Sequence, residues 1–162
     1  MKKVGIVMGS DSDLPILEKT MDALKSLAVP YEVHVYSAHR TPDEAIAFAR
    51  NAEGNGFGVL ICAAGKAAHL GGVVAAFTTL PVIGLPVKTD MMGGLDSLLS
   101  IVQMPSGIPV ATVGVNGGEN AGLLALQILG IKYEDIAEKL CEYKVAMKNK
   151  INADDEALQE ML

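Results

Sequence analysis

Short apolar runs of strand length alternate along this chain with segments of helical period, and no other feature constrains the fold as strongly. Strands are predicted at 4–8, 31–36, 57–63, 81–85 and 108–115. Helices are predicted at 14–27, 42–55, 67–79, 95–103, 121–129 and from about residue 133. Strands that are apolar almost throughout are typical of a parallel sheet covered on both faces. The pattern therefore predicts an α/β fold: a three-layer, doubly wound parallel sheet, Rossmann/flavodoxin-like, with an extra C-terminal helix.

Length and composition indicate a single domain over 1–162 without linkers or repeats. The net charge of −6 argues against nucleic acid or an anionic membrane surface as a partner. No apolar run is long enough to span a membrane, and Cys62 and Cys141 lack the spacing of a disulfide framework or a zinc site. We therefore expect a cytoplasmic protein with reduced thiols.

Several helix ends carry recognisable signals. Asp13 is predicted to cap the first helix, and Thr41-Pro42-Asp43-Glu44 has the spacing of a capping box for the second. Gly130 is predicted to end the fifth helix. The last helix is highly charged toward its end, so we expect that part to fray.

The loops that follow the predicted strands are the candidate ligand site, because open α/β sheets bind ligands outside the carboxyl ends of their strands. These loops contain two of the three histidines, together with glycines, hydroxyl groups and three cations. They span 9–13, 37–42, 64–72, 86–89 and 116–118.

The first loop offers Ser10, Ser12 and Asp13 beside a helix start. Free backbone N–H groups there suit an anion, whereas the Asp13 carboxylate suits the diol of a sugar. The alternative is that Ser12 and Asp13 only cap the helix.

The second loop carries Ser37-Ala38-His39-Arg40 between a strand end and a helix start. Arg40 can bind a phosphate through two hydrogen bonds. His39 can take and return a proton near neutral pH. The alternative is an exposed histidine in a turn beside a surface arginine.

The third loop is rich in small residues, including Gly65 and Ala67, around Lys66 and His69. Small side chains let backbone amides line a tight pocket for a carboxylate or a small neutral molecule. His69 could equally be a packed histidine at a helix start. No spacing of histidines and carboxylates is typical of a metal site, and the low aromatic content does not favour a flavin.

Taken together, these loops resemble the PurE family of de novo purine biosynthesis. The matching segments, in order, are Gly9-Ser10-Asp11-Ser12-Asp13, Ser37-Ala38-His39-Arg40-Thr41-Pro42, Ala64-Gly65-x-Ala67-Ala68-His69-Leu70 and Ser100-Ile101-Val102-Gln103-Met104-Pro105. The resemblance implies a mutase that moves CO2 from the exocyclic nitrogen of N5-carboxyaminoimidazole ribonucleotide to ring C4, without a metal or other cofactor. It also implies a homo-octamer.

The resemblance further implies roles for individual residues. His39 would carry the proton, while Ser10, Ser12, Asp13 and Arg40 would bind the ribonucleotide. The carboxylate or CO2 end would be lined by Ser37, Gly65, Ala67 and His69.

The chain departs from the family pattern at Lys66, where the family often has Gly or Met, and at Gly71, where it often has Pro. A second branch of the family carboxylates aminoimidazole ribonucleotide directly with free CO2. That branch tends to have Lys after Ser-Ala-His and to lack Ala-Ala-His, so Arg40 and His69 favour the mutase branch. A nucleotide-binding module without catalysis is the remaining alternative.

Overall fold

The computed structural model describes all 162 residues. Five parallel strands form one sheet in the order β2-β1-β3-β4-β5. The strands are β1 (Lys3–Met8), β2 (Tyr31–Val35), β3 (Phe57–Ala64), β4 (Val82–Pro86) and β5 (Ala111–Thr112). The helices are α1 (Leu14–Ser26), α2 (Pro42–Asn51), α3 (Leu70–Ala76), α4 (Leu95–Val102), α5 (Gly118–Gly130) and α6 (Glu134–Met161). This is the flavodoxin-like order, so the predicted α/β fold is confirmed.

Each face of the sheet is buried under its own helices, which gives three layers. Along β1, Val4 and Ile6 belong to the apolar core shared with α1 and α5, whereas Val7 belongs to the core on the opposite face. The alternation follows from the two-residue period of a strand. Strand order reverses between β1 and β3, so the loops after these two strands diverge and leave a crevice at the carboxyl edge.

Helices α1 and α5 approach each other closely because glycines face α1. A Cβ on Gly118 would lie 2.2 Å from the Ile16 carbonyl oxygen, and one on Gly122 would lie 2.8 Å from the Cβ of Ala23. The buried Thr20 hydroxyl donates a hydrogen bond of 2.7 Å to the Gly118 carbonyl. This contact holds α1, the helix that follows the β1 loop, against α5.

Several predicted boundaries were wrong. Helix α2 ends at Asn51 rather than 55, because the chain turns there toward Gly56, whose φ is +85°. Helix α3 spans Leu70–Ala76 rather than 67–79, because the chain leaving β3 still bends at 66–67, where Lys66 has a φ of +57°. Strand β5 pairs with β4 only over Ala111–Thr112, since Pro109 earlier in the predicted run has no N–H to donate.

The predicted side-chain caps were also wrong. Asp13 makes no capping hydrogen bond, and Ser10 instead caps a short 3-10 turn at Asp11–Asp13 that precedes α1. Thr41 does not cap α2, because its hydroxyl accepts from the Ser37 N–H at 2.8 Å and donates to the Ser37 carbonyl. The end of α5 at Gly130 is confirmed.

Helix α6 continues unbroken to Met161, which contradicts the predicted fraying of its charged end. Ile136 is its one buried residue and anchors its first turns on α5. None of the helices in the protein combines the length and apolar character needed to cross a membrane. Beyond its first turns, α6 leaves apolar side chains exposed: Val145, Met147, Ile151, Leu158 and Met161.

Candidate active site

A cavity of about 760 Å³ opens at the carboxyl ends of β1 to β4, a size that suits a small-molecule ligand. It is lined by the loops after all four strands. All the residues predicted for the site line it: Ser10, Ser12, Asp13, Ser37, His39, Arg40, Gly65, Ala67 and His69.

The predicted loop 116–118 does not line the cavity. It supports the wall instead, because the Asn116 side-chain oxygen accepts a hydrogen bond of 2.8 Å from the backbone N–H of Lys88. The reason is that β5 is short and lies at the sheet edge, away from the crevice between β1 and β3.

The loop after β1 is held by its own serines. The Ser10 hydroxyl accepts hydrogen bonds from the Ser12 N–H at 3.4 Å and from the Ser12 hydroxyl at 2.9 Å. Asp13 is buried beside them, and this burial raises the pKa of its carboxyl above the ordinary value of 3.8. Hydrogen bonds from Ser10 and Ser12 oppose that rise in pKa, while the charge of Asp11 adds to it. Burial of the Asp13 carboxylate therefore costs free energy, and its oxygens can accept hydrogen bonds from hydroxyl groups of a ligand.

Arg40 joins the loops after β1 and β2. Its guanidinium donates to the Gly9 carbonyl at 2.6 Å and to the Ser37 hydroxyl oxygen at 3.4 Å. Ser37 also accepts from the backbone N–H of Arg40 at 3.2 Å. No carboxylate pairs with Arg40, so its charge is available to an anion in the cavity.

His39 and His69 meet across the cavity although they are 30 residues apart in the chain. His39 Nε2 and His69 Nδ1 are 2.8 Å apart, and the rings meet edge to face with centroids 5.0 Å apart. One of these nitrogens must carry the hydrogen of the bond, so the tautomers of the two rings must be complementary. Both side chains are exposed to the cavity, where a bound molecule could exchange a proton with them.

The loop after β4 adds residues to which the sequence interpretation gave no role: Lys88, Thr89 and Asp90. Their position just after a strand that ends at the carboxyl edge could have identified them from the sequence. The Thr89 hydroxyl donates to the Asp96 carboxylate of α4 at 2.5 Å. Ser100, in the fourth matching segment, donates to the Asp96 carbonyl at 2.6 Å, and its hydroxyl lies 3.5 Å from the Lys66 carbonyl in the β3 loop.

Other reactive side chains lie outside the cavity. Cys62 is fully buried in β3, and that burial raises the pKa of its thiol to about 12, so it acts as a small apolar residue. His34 stacks on the Tyr36 ring with centroids 5.1 Å apart. The structure brings no three His, Cys, Asp or Glu side chains together in a way that could hold a metal ion.

Known proteins resemble this chain in sequence and in fold. The chain is 53% identical to the N5-carboxyaminoimidazole ribonucleotide mutase of Thermotoga maritima, over 99% of this chain and 94% of that protein. It is 56% identical to the protein of the same name from Pyrococcus horikoshii, over 98% and 89%. The crystal structure of Treponema denticola PurE superposes with a TM-score of 0.88 at 32% identity, covering 96% of this chain and 97% of that one.

A family model described as AIR carboxylase matches residues 3–150, which is most of the chain. The matched region contains every loop that lines the cavity. This protein therefore belongs to the PurE family of AIR carboxylase-type proteins.

Proposed function

We propose that this protein is an N5-carboxyaminoimidazole ribonucleotide mutase, which moves CO2 from the exocyclic nitrogen of its substrate to ring C4. The observation that carries the proposal is the single cavity that holds Asp13, Arg40 and the His39–His69 pair. Those groups match a substrate that has a ribose, a phosphate and a site of proton exchange. The names of the similar proteins support the same activity.

The ribonucleotide would lie with its ribose and phosphate against the loops after β1 and β2. The buried Asp13 carboxylate would accept from ribose hydroxyl groups. The Arg40 guanidinium, oriented by Gly9 and Ser37, would bind the phosphate together with the hydroxyls of Ser10 and Ser12. The base would then point toward His39 and the loop after β3.

The proposed reaction needs one proton carrier and no external reactant. The bond between the exocyclic nitrogen and the carboxylate carbon breaks, its electron pair stays on nitrogen, and nitrogen takes a proton from His39. C4 of the electron-rich ring then attacks the carbon of CO2, and His39 takes back the proton that C4 loses. His69, at 2.8 Å from His39, would orient that imidazole through both steps.

Between the two steps, CO2 must stay beside C4. It carries no net charge, so its retention depends on a small, closed space rather than on an ion pair. Gly65 and Ala67 line that end of the cavity, and Ala64 and Ala68 are buried behind them. Ser37 and His69 would close the same space around CO2 once the ribonucleotide is bound.

A turnover assay with labelled bicarbonate tests the proposal. The purified protein should convert N5-carboxyaminoimidazole ribonucleotide to the 4-carboxy product without ATP, and ¹³C-bicarbonate in the buffer should not label the product. A reaction without protein is the control for spontaneous decarboxylation. Formation of labelled product from aminoimidazole ribonucleotide would instead establish the direct carboxylase, and binding without turnover would establish a non-catalytic module.

We further propose that the protein works as a homo-octamer in the cytoplasm. Exposed apolar residues beside the cavity, namely Met91, Met92, Leu99 and Val102, support self-association because large exposed apolar side chains favour contact surfaces. Analytical ultracentrifugation measures the assembly directly, and a monomer at micromolar concentration would contradict it.

A further inference from the structure

Lys66 lies in the cavity on a backbone that disfavours any residue except glycine. Its φ is +57°, in the left-handed region, where a lysine costs about 1 kcal/mol relative to glycine. Four non-glycine residues have positive φ, and Lys66 alone among them lines the cavity. A strained residue at a binding site indicates a functional reason for its side chain.

The cavity also has more cationic side chains in its lining than carboxylates. Arg40, Lys66 and Lys88 line it, whereas Asp13 and Asp90 are its only carboxylates. None of the three cations forms an ion pair, although the chain as a whole carries a net charge of −6. The ion pairs of the structure lie elsewhere, at Lys3–Glu32, Lys25–Asp22 and His34–Glu32. The cavity therefore has a local excess of positive charge within an acidic protein, which favours an anionic ligand.

Arg40 and Lys66 belong to different parts of the cavity. Arg40 is fixed to the loops after β1 and β2 by Gly9 and Ser37. Lys66 belongs to the loop after β3, three residues before His69, whose ring contacts His39. The Ser100 hydroxyl of α4, which donates to the Asp96 carbonyl at 2.6 Å, lies 3.5 Å from the Lys66 carbonyl, so this part of the loop lies against α4. Lys66 is thus the cation that lines the cavity from the loop after β3, the same loop that carries His69.

We propose that Lys66 binds the carboxylate that the reaction moves, both on the exocyclic nitrogen of the substrate and on C4 of the product. This inference rests on the proposed function, and it adds a specificity-determining residue to it. The substrate and product carry a carboxylate in addition to the phosphate, so they need a cation besides the Arg40 guanidinium, and Lys66 supplies one in the loop after β3. Lys66 would select the carboxylated nucleotides over aminoimidazole ribonucleotide, which has only the phosphate.

The proposal makes a specific kinetic prediction. Lys66 gains attraction from the carboxylate of substrate and product, but little from the uncharged CO2 between the two steps. Removing its charge should therefore raise KM and raise kcat in similar proportion, so that kcat/KM changes little, because ground-state binding is lost without loss of transition-state binding.

Two variants, Lys66→Met and Lys66→Gly, test the role. Methionine keeps the length of the side chain, and glycine suits the positive φ, so at least one should fold as the wild type does. Each should bind the 4-carboxy product about 5–20-fold more weakly, as expected for loss of a partly exposed charge-assisted hydrogen bond. Affinity for aminoimidazole ribonucleotide should change less than about twofold, and Lys66→Arg should restore most of the lost affinity.

Two further variants serve as controls in the same titrations by calorimetry. Arg40→Ala should weaken both nucleotides equally, because both carry the phosphate. Lys148→Met, on the exposed part of α6, should change neither affinity. Equal losses for both nucleotides in the Lys66 variants, or no loss, would overturn the carboxylate role. Binding is measured separately from turnover. If the wild type were inactive but the Lys66 variants lost affinity only for the carboxylated nucleotide, the proposed function would be refuted and the role of Lys66 would stand.

Discussion

The cavity and the contact between α1 and α5 lie on either side of the β1 loop, yet they are built in opposite ways. At the α1–α5 contact, Thr20 is buried with its hydroxyl bonded to the Gly118 carbonyl, and there is no room for another methyl group. In the cavity, Arg40 and Lys66 are exposed and have no carboxylate partner. The contact is complete without a ligand, whereas the cavity requires one to pair its charges.

This difference predicts that substitutions in the two regions change different quantities. A variant in the cavity should alter turnover or affinity with little change in the free energy of unfolding. A variant at the α1–α5 contact should alter the free energy of unfolding with little change in turnover by the folded protein. A variant that changed both quantities strongly would show that the two regions are coupled through the β1 loop.

His39→Asn should give the largest effect. The imidazole is the proposed proton carrier, and asparagine cannot protonate the nitrogen or accept the proton of C4. We expect kcat to fall about 10³-fold, equivalent to about 4 kcal/mol in activation free energy. Steady-state kinetics on N5-carboxyaminoimidazole ribonucleotide measures this fall.

Two controls show whether the effect of His39→Asn is confined to the reaction in the cavity. The exposed His39 contributes no core packing, so the melting temperature of His39→Asn should match the wild type. Affinity for the product should stay within about threefold, as expected for a residue that acts mainly in the transition state. Turnover within a factor of ten of the wild type would remove His39 from the proton transfer.

Gly118→Ala should give the next effect, at the α1–α5 contact. The new Cβ would lie 2.2 Å from the Ile16 carbonyl oxygen, so the helices must separate. We expect the free energy of unfolding to fall by about 2–3 kcal/mol, with kcat unchanged well below the melting temperature. Urea denaturation measures the change.

Gly54→Ala is the matched control, because a Cβ there would lie 3.7 Å from the nearest atom, an ordinary contact. That control should change the free energy of unfolding by less than about 0.5 kcal/mol. If Gly118→Ala were as stable as Gly54→Ala, the close approach of the two helices would not be needed for stability.

The sequence predicted the cavity better than it predicted the local details of the loops. The alternation of strands and helices places the loops after β1 to β4 at one edge, and this follows from hydrophobic period alone. The predicted cap at Thr41 was wrong, because its hydroxyl is bonded to the Ser37 backbone, and the local sequence pattern does not show that competition. The left-handed Lys66 and the contact between His39 and His69 depend on tertiary packing between loops far apart in the chain.

Asp13→Asn should give the smallest effect. It tests the β1 loop, which lines the cavity and leads into α1. Burial raises the pKa of the Asp13 carboxyl above 3.8, so at neutral pH the folded protein holds a carboxylate that would be more stable in water. Asparagine removes that cost. We therefore expect the free energy of unfolding to rise at pH 7, while nucleotide affinity falls about tenfold as the ribose loses its acceptor.

The pH dependence distinguishes this cause from a simple packing change. In the wild type the folded state keeps the Asp13 proton to a higher pH than the unfolded state does, so ionisation reduces stability as pH rises through the folded pKa. The stability gain of Asp13→Asn should be absent below pH 3.8, appear as pH rises above it, and reach its full value at neutral pH. Urea denaturation across this range measures it. A difference that does not vary with pH would mean that Asp13 carries no desolvation cost and belongs, like Thr20, to the part of the fold that is complete without a ligand.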